Sequence, residues 1–253
     1  MTDTAANRVR SDASGLQPPV RQAVILAAGL GTRMRPLTEN LPKPLLPVLG
    51  RPILEWNLRA LPPTVEEVIL IVGYLKEMIV DRFGDEWRGR RIRYVEQREL
   101  RGTGQALHEC RHLLQGRFLA MNGDDIYDAA DMARMSVEAS AVLAYRLTGP
   151  NRFGILDTDR EGNLKGIVED GNTAGGLINT GMYALEPDFF DYPLVPIKGG
   201  TEFGLPQTLA QVAQDRPVRV LVAGFWVPLG YPEDLKKATE ALGDRVRIPE
   251  TGL

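Results

Sequence analysis

The sequence predicts an α/β fold, a doubly wound and mostly parallel mixed sheet whose second half turns antiparallel. Short runs that are apolar at every position suit strands buried on both faces: Ala23-Val24-Ile25-Leu26, Val68-Ile69-Leu70-Ile71-Val72 and Phe118-Leu119-Ala120-Met121. Between them lie patterns of helical period. Ile53, Leu54, Leu58 and Leu61 share one face, and Ala106, Leu107, Cys110, Leu113 and Leu114 share another. Strand and helix in alternation give a parallel sheet. After Ala141 the texture changes. Ala141 to Tyr145, Phe153 to Asp157, Leu164 to Val168 and Ile178 to Leu185 read as strands divided by Gly, Asn and Asp turns. Helical patterns return near Leu205 to Gln214 and Pro232 to Leu242. The crevice between the two halves is the expected place for a site.

The first stretch, Met1 to about Arg21, is polar, holds Ser, Asp, Gly and two prolines, and has no apolar period. It reads as a disordered leader before a single domain over 22–253. A length of 253 residues with 43% apolar and 25% charged side chains is ordinary for a globular protein and buries a sizeable core. A net charge of −3 gives no field suited to a nucleic-acid backbone, which excludes nucleic acid as the expected partner. An anionic ligand must then be held by a few placed cations. One cysteine, Cys110, leaves no internal disulfide and fits a reducing compartment. No run approaches a membrane span, and the N-terminus lacks the apolar core of a signal peptide. The expectation is a cytoplasmic protein without a membrane partner; a homo-oligomer is left open.

The most informative stretch is Leu26-Ala27-Ala28-Gly29-Leu30-Gly31-Thr32-Arg33-Met34-Arg35-Pro36-Leu37-Thr38. A buried strand runs into small residues and two glycines, where backbone N–H groups can approach phosphate oxygens. A dinucleotide turn of the Rossmann type wants a third glycine where Met34 stands. A P-loop wants Gly-Lys-Ser/Thr, which is absent. A tight structural turn explains the glycines but not Arg33 and Arg35 at its lip. Leu41-Pro42-Lys43-Pro44 follows, with prolines that should hold Lys43 on a stiff, extended backbone as a placed charge for phosphate.

These segments resemble the sugar-1-phosphate nucleotidyltransferases, which carry Gly-x-Gly-Thr-Arg-x-x-Pro-Leu-Thr followed closely by Pro-Lys-Pro. Gly29 to Thr38 and Pro42 to Pro44 match that signature without departure, and the resemblance spans Gln22 to about Leu242. It implies a Rossmann-like nucleotidyltransferase fold with an antiparallel sugar-binding half. The implied substrates are a nucleoside triphosphate and a sugar 1-phosphate, with Mg²⁺ as cofactor. By resemblance Arg33, Lys43 and Asp124 are catalytic, and Asp124 is the metal residue. Leu26, Ala28, Gly29, Gly31 and Thr32 would line the nucleotide, with Gln97, Gly102 and Thr103 at its base.

Gly102-Thr103-Gly104 opens the Ala106 helix, with Thr103 as its expected N-cap. Its form looks like that of uridylyl- and thymidylyltransferases, which favours UTP or dTTP. Asn122-Gly123-Asp124-Asp125 follows a strand at its C-terminal end, where open α/β sheets place ligands and a carboxylate can hold Mg²⁺ against a triphosphate. The sugar side resembles the family at Asn122, Gly154, Glu169 and Asn179. It departs where Glu169-Asp170-Gly171 stands for Glu-Lys-Pro. It departs again where Pro228 replaces the aspartate of Trp-x-Asp-x-Gly that completes the metal site in many members. Proline cannot ligate a cation. Either Asp124 holds the metal with water and phosphates alone, or Asp125 contributes, or catalysis is weakened and the chain is a regulatory subunit that binds nucleotide sugar.

His108-Glu109-Cys110-Arg111-His112 matches the His-Glu-x-x-His pattern of zinc peptidases. The apolar stripe runs through Leu107, Cys110 and Leu114, which turns the histidines towards the edge, and Arg111 would add positive charge beside a dication. The pair is expected to be inert, and Cys110 to be a small core residue.

Overall fold

A computed structural model describes residues 17–151, 153–168, 173–197 and 199–246. The strands of the first half are β1 (Gln22–Ala27), β2 (Pro47–Val48), β3 (Arg51–Pro52), β4 (Glu67–Val72), β5 (Glu86–Trp87), β6 (Arg90–Glu96), β7 (Phe118–Asn122) and β8 (Ile126–Tyr127). Those of the second are β9 (Ala141–Asn151), β10 (Ile155–Thr158), β11 (Leu164–Val168), β12 (Thr173–Leu185), β13 (Arg219–Val222) and β14 (Trp226–Val227). The α-helices are α1 (Ile53–Ala60), α2 (Lys76–Phe83), α3 (Thr103–Glu109), α4 (Ala129–Ser136), α5 (Leu205–Asp215) and α6 (Asp234–Val246).

Four strands form the parallel core in the order β7-β1-β4-β6, with Ile25 level with Leu70 on one side and Met121 on the other. β12 then pairs antiparallel with β7, and β9 antiparallel with β12. The two halves predicted from the sequence are thus one continuous ten-stranded sheet. Alternate residues of the apolar runs serve opposite faces. Ala23, Ile25, Leu70 and Met121 join one buried cluster, while Val24, Ile69, Ile71 and Ala120 join another. Burial on both faces is why these strands show no polar alternation. The sheet order reverses at β1, which lies between β4 and β7, so the C-terminal ends of β1 and β7 flank a topological switch point.

Three expectations are corrected. Gln17 to Arg21 is not a free leader: the Gln17 and Val20 N–H groups donate to the carbonyls of Val137 (2.8 Å) and Ser136 (3.1 Å), and Val20 is buried. The rest of the expected leader lies outside the described residues. The helix beginning near Ala106 ends at Glu109, and Arg111–Leu113 is a 3-10 turn. Thr103 is its first helical residue, and the capping position is Gly102.

Candidate functional site

Beyond β1 the chain passes through Ala28 to Gly31 into a 3-10 turn, Thr32–Met34. Gly31 takes φ 62°, and a Cβ there would stand 3.1 Å from both Lys43 Cβ and Thr38 Cγ2. Only glycine meets both demands. The Thr38 hydroxyl donates to the Gly31 carbonyl at 2.7 Å and fixes the loop. Met34, where a dinucleotide turn would have glycine, is fully buried with Leu46, Ile53, Val227 and Leu229. It anchors the loop from below. Arg33 beside it is exposed, its guanidinium 5.7 Å from the Tyr231 ring centroid, with no ion-pair partner among the described residues.

Lys43 is not on an extended backbone as expected. Pro42 is extended, with ψ 141°, but Lys43 begins a 3-10 turn through Leu45. The lysine is buried, and its Nζ donates to Asp124 Oδ2 at 2.6 Å. Asp124 stands in the turn after β7, and that turn is knitted to the end of β1. Gly123 N–H donates to the Leu26 carbonyl at 2.8 Å, and a Cβ on Gly123 would meet that oxygen at 2.9 Å. Asp125 differs from its neighbour. Its Oδ1 accepts from Leu229 N–H (3.2 Å) and its Oδ2 from the Trp226 indole (3.3 Å). Burial, then the charge of Asp124, push its pKa up to about 7, while Lys43 and the two N–H donors pull it down.

The opposite wall is built on Gln97 and Gly102. Gln97 is buried and donates from Nε2 to the Gly102 carbonyl at 3.2 Å. The Thr103 hydroxyl caps no helix of its own; it accepts from Leu205 N–H at 3.0 Å. The 196–204 segment folds back on itself through Ile197 N–H to the Glu202 carbonyl (2.8 Å). It is stitched to the turn by Phe203 N–H to Arg101 (2.7 Å) and Gly104 N–H to Phe203 (2.9 Å).

Leu26, Ala28, Gly29, Gly31, Thr32, Arg33, Lys43, Gln97, Gly102, Thr103, Asn122 and Asp124 all line one cleft of about 430 Å³ at the switch point. Among the other lining residues, Leu30, Leu100, Ile197 and Glu202 had no role assigned from the sequence. The first two are large exposed apolar side chains beside the two glycine turns, the one signal available in the sequence. Gly154 and Asn179 do not line this cleft. They meet each other, the Asn179 N–H donating to the Gly154 carbonyl at 2.9 Å. Asn179 Oδ1 accepts from Gly181 N–H at 3.0 Å within an irregular stretch of β12. Gly181 in turn faces Asn122, whose Nδ2 would lie 2.1 Å from an added Cβ. Glu169 lies outside the described residues.

The histidine pair is split by the early end of α3. His108 lies edge-on to Phe190, ring centroids 5.1 Å apart, and burial lowers its pKa. His112 is exposed on the 3-10 turn. Among the described residues no three His, Cys, Asp or Glu side chains are grouped to hold a metal. Burial pushes the Cys110 thiol up to about 12, so it supplies no thiolate near neutrality. No helix of the described residues is long and apolar enough to cross a membrane.

A glycine loop after the first strand, a buried lysine and a carboxylate are gathered in one cleft where the sheet order of this α/β fold reverses. The chain belongs to the nucleotidyl transferase family, whose pattern it matches over residues 22–245. It is 34% identical over 233 residues to the bifunctional protein GlmU of Methanocaldococcus jannaschii, covering 91% of this chain and 56% of that one. The chain therefore spans little more than half the length of this relative. It is 32% identical over 233 residues to the UTP–glucose-1-phosphate uridylyltransferase AglF of Haloferax volcanii (87% and 96% covered). A D-glycero-alpha-D-manno-heptose 1-phosphate guanylyltransferase of Campylobacter jejuni is 31% identical over 218 residues (84% and 96% covered). A crystal structure of UDP-glucose pyrophosphorylase complexed with UDP-glucose shares the fold, with TM-score 0.77 at 21% identity over 89% of this chain and 99% of that one.

Proposed function

We propose that this chain is a sugar-1-phosphate nucleotidyltransferase, which moves a nucleotidyl group from a nucleoside triphosphate to a sugar 1-phosphate and releases pyrophosphate. The observation that carries the reading is convergence. Residues from Leu26 to Asp124, far apart in the chain, meet in one cleft around the Gly29–Arg33 loop. UTP or dTTP is the proposed donor, on the form of Gly102-Thr103-Gly104 and on the likeness to AglF, a UTP–glucose-1-phosphate uridylyltransferase. The guanylyltransferase relative makes GTP the rival to test.

The chemistry asks little of a protein nucleophile. A sugar phosphate is already ionised, so its oxygen can attack the α-phosphorus in line while pyrophosphate leaves. The protein aligns the two and stabilises the charge that builds. Arg33, exposed in the cleft and without an ion pair among the described residues, is placed to meet that charge. Lys43, rigidly placed beneath the loop, holds the incoming phosphate. The backbone N–H groups of Gly29 to Thr32 line the nucleotide phosphates, and Gln97, Gly102 and Thr103 read the base. Asn122, which lines the cleft, takes the sugar, and Gly154 and Asn179, which bond each other outside it, act on the sugar side only through the Gly181 turn that faces Asn122. Asp124 offers one carboxylate to the cleft, which fits Mg²⁺, since such sites use one or two carboxylates with water and substrate phosphates. Bound there, Mg²⁺ would screen the triphosphate charge. The proposed compartment is the cytoplasm, where the free thiol of Cys110 is at home.

Pro228 favours a second reading, a weakened subunit that binds nucleotide sugar without making it. A panel of triphosphates and sugar 1-phosphates, scored for pyrophosphate, separates the two. The transferase reading expects pyrophosphate from UTP or dTTP with at least one sugar 1-phosphate. Release with GTP alone would overturn the base assignment. Tight binding of a nucleotide sugar with no release from any pair would leave the second reading standing.

A further inference from the structure

The loop that carries Arg33 and the turn that carries Tyr231 are far apart in the chain but stand on one core. Met34, next to Arg33, is buried in the same cluster as Leu229, Ala238 and Leu242, which bracket Tyr231. The turn itself is closed by the buried Asp234. Its Oδ2 accepts from Gly230 N–H (3.0 Å) and Tyr231 N–H (2.9 Å), and its own N–H donates to the Tyr231 carbonyl at 3.0 Å. Lys237 Nζ, one turn along α6, donates to the other carboxylate oxygen at 3.0 Å. Pro232 narrows the backbone choices of Tyr231 further. The ring is thus placed by its backbone, whereas Arg33 is a long side chain on the surface. Its guanidinium lies over that ring, 5.7 Å from the centroid. Arg33 and Gly230, the neighbour of Tyr231, both line the cleft.

We propose that Tyr231 is the positioning residue for Arg33. A guanidinium is planar and stacks on an aromatic face, which leaves its N–H edge for phosphate oxygens. The ring therefore limits the volume that an exposed arginine sweeps and keeps its donors at the cleft. What the ring supplies is its face, so the phenol hydroxyl has no part in the effect. Position matters because a donor stabilises developing charge best when it is already in place as the charge forms. The inference rests on the role proposed above for Arg33 and adds the residue that sets its place.

The test is a double-mutant cycle on pyrophosphate release at saturating substrates, with the Arg33 Nε–H resonance followed by NMR. Tyr231→Leu should lower turnover about two- to fivefold, the scale of a cation–π contact at an exposed site, and change KM less. Tyr231→Phe should stay near wild type. In Arg33→Ala the same Tyr231→Leu change should have no further effect. The Arg33 resonance, assigned by its loss in Arg33→Ala, should lie upfield under the ring current. It should keep that shift in Tyr231→Phe and lose it in Tyr231→Leu. Unchanged turnover in Tyr231→Leu would overturn the inference. So would an equal fall with and without Arg33, since the tyrosine would then act through the fold. A Tyr231→Phe variant as impaired as Tyr231→Leu, or a resonance that Tyr231→Leu leaves unmoved, would overturn it too. No pyrophosphate from the wild-type chain would strike the proposed function instead, and the resonance alone would then decide whether the ring holds the arginine.

Discussion

Gly102→Ala should uncouple the nucleotide wall from the rest of the cleft. Gly102 takes φ 92° and ψ 173°, a region nearly closed to other residues, and the strain there is about 1–3 kcal/mol. An added Cβ would stand 2.3 Å from the Phe203 carbonyl oxygen and 2.8 Å from its nitrogen, so the backbones must part. Parting them breaks the Phe203–Arg101, Gly104–Phe203 and Leu205–Thr103 hydrogen bonds, each about 1 kcal/mol net. The combined loss is about 4–6 kcal/mol, which for a chain of this size lowers Tm by roughly 8–24 °C. Ile197 and Glu202 leave the cleft wall with the segment, so nucleotide affinity should fall as well. Thermal unfolding by circular dichroism, with a nucleotide titration below the transition, measures both. A variant that melts within about 2 °C of wild type and binds nucleotide unchanged would refute the reasoning, since a shift that small is under 1 kcal/mol.

Other outcomes follow from the same contacts. Gly181→Ala places a methyl 2.1 Å from Asn122 Nδ2, so KM for the sugar 1-phosphate should rise more than KM for the triphosphate; equal effects on both would detach Asn122 from the sugar. Val20→Ala truncates a buried side chain and should cost about 1–2 kcal/mol by denaturant unfolding; stability equal to wild type would mean that Gln17 to Arg21 is not part of the folded core. His108→Ala with His112→Ala should lower stability through the lost packing on Phe190 but leave turnover per folded molecule intact. Stoichiometric zinc in the purified protein would contradict that.

The parallel core was legible because strands buried on both faces must be apolar throughout, and Val24, Ile69 and Ala120 show it directly. The glycine loop was legible for a related reason: only glycine fits at Gly31, so the constraint is written in one residue. What the sequence hid was contact across distance. Nothing local in Phe203 tells that it docks on Gly102, since only the space that a missing Cβ leaves there records the contact. The burial of Lys43 beneath the loop was hidden too, as was the division of labour between Asp124 and Asp125. Adjacent and identical in type, they differ only in what folds against them. The single helix expected through Leu114 stopped early because helical period alone does not distinguish an α-helix from a helix that tightens into a 3-10 turn.

The central claim, that this cleft stabilises charge as the α-phosphorus is attacked, falls most directly on Arg33. Its guanidinium stands in the cleft without an ion pair among the described residues, so the fold should not depend on it. Pyrophosphate release by Arg33→Ala, measured at saturating substrates beside nucleotide affinity and Tm, isolates its part in the chemistry. The account predicts an unchanged Tm, a modest loss of affinity and a turnover lower by roughly 10²–10³, the usual loss for a positioned donor of this kind. Lysine at the same position should rescue it poorly, because a point charge does not reproduce a planar two-point contact. Turnover equal to wild type in Arg33→Ala would contradict the account.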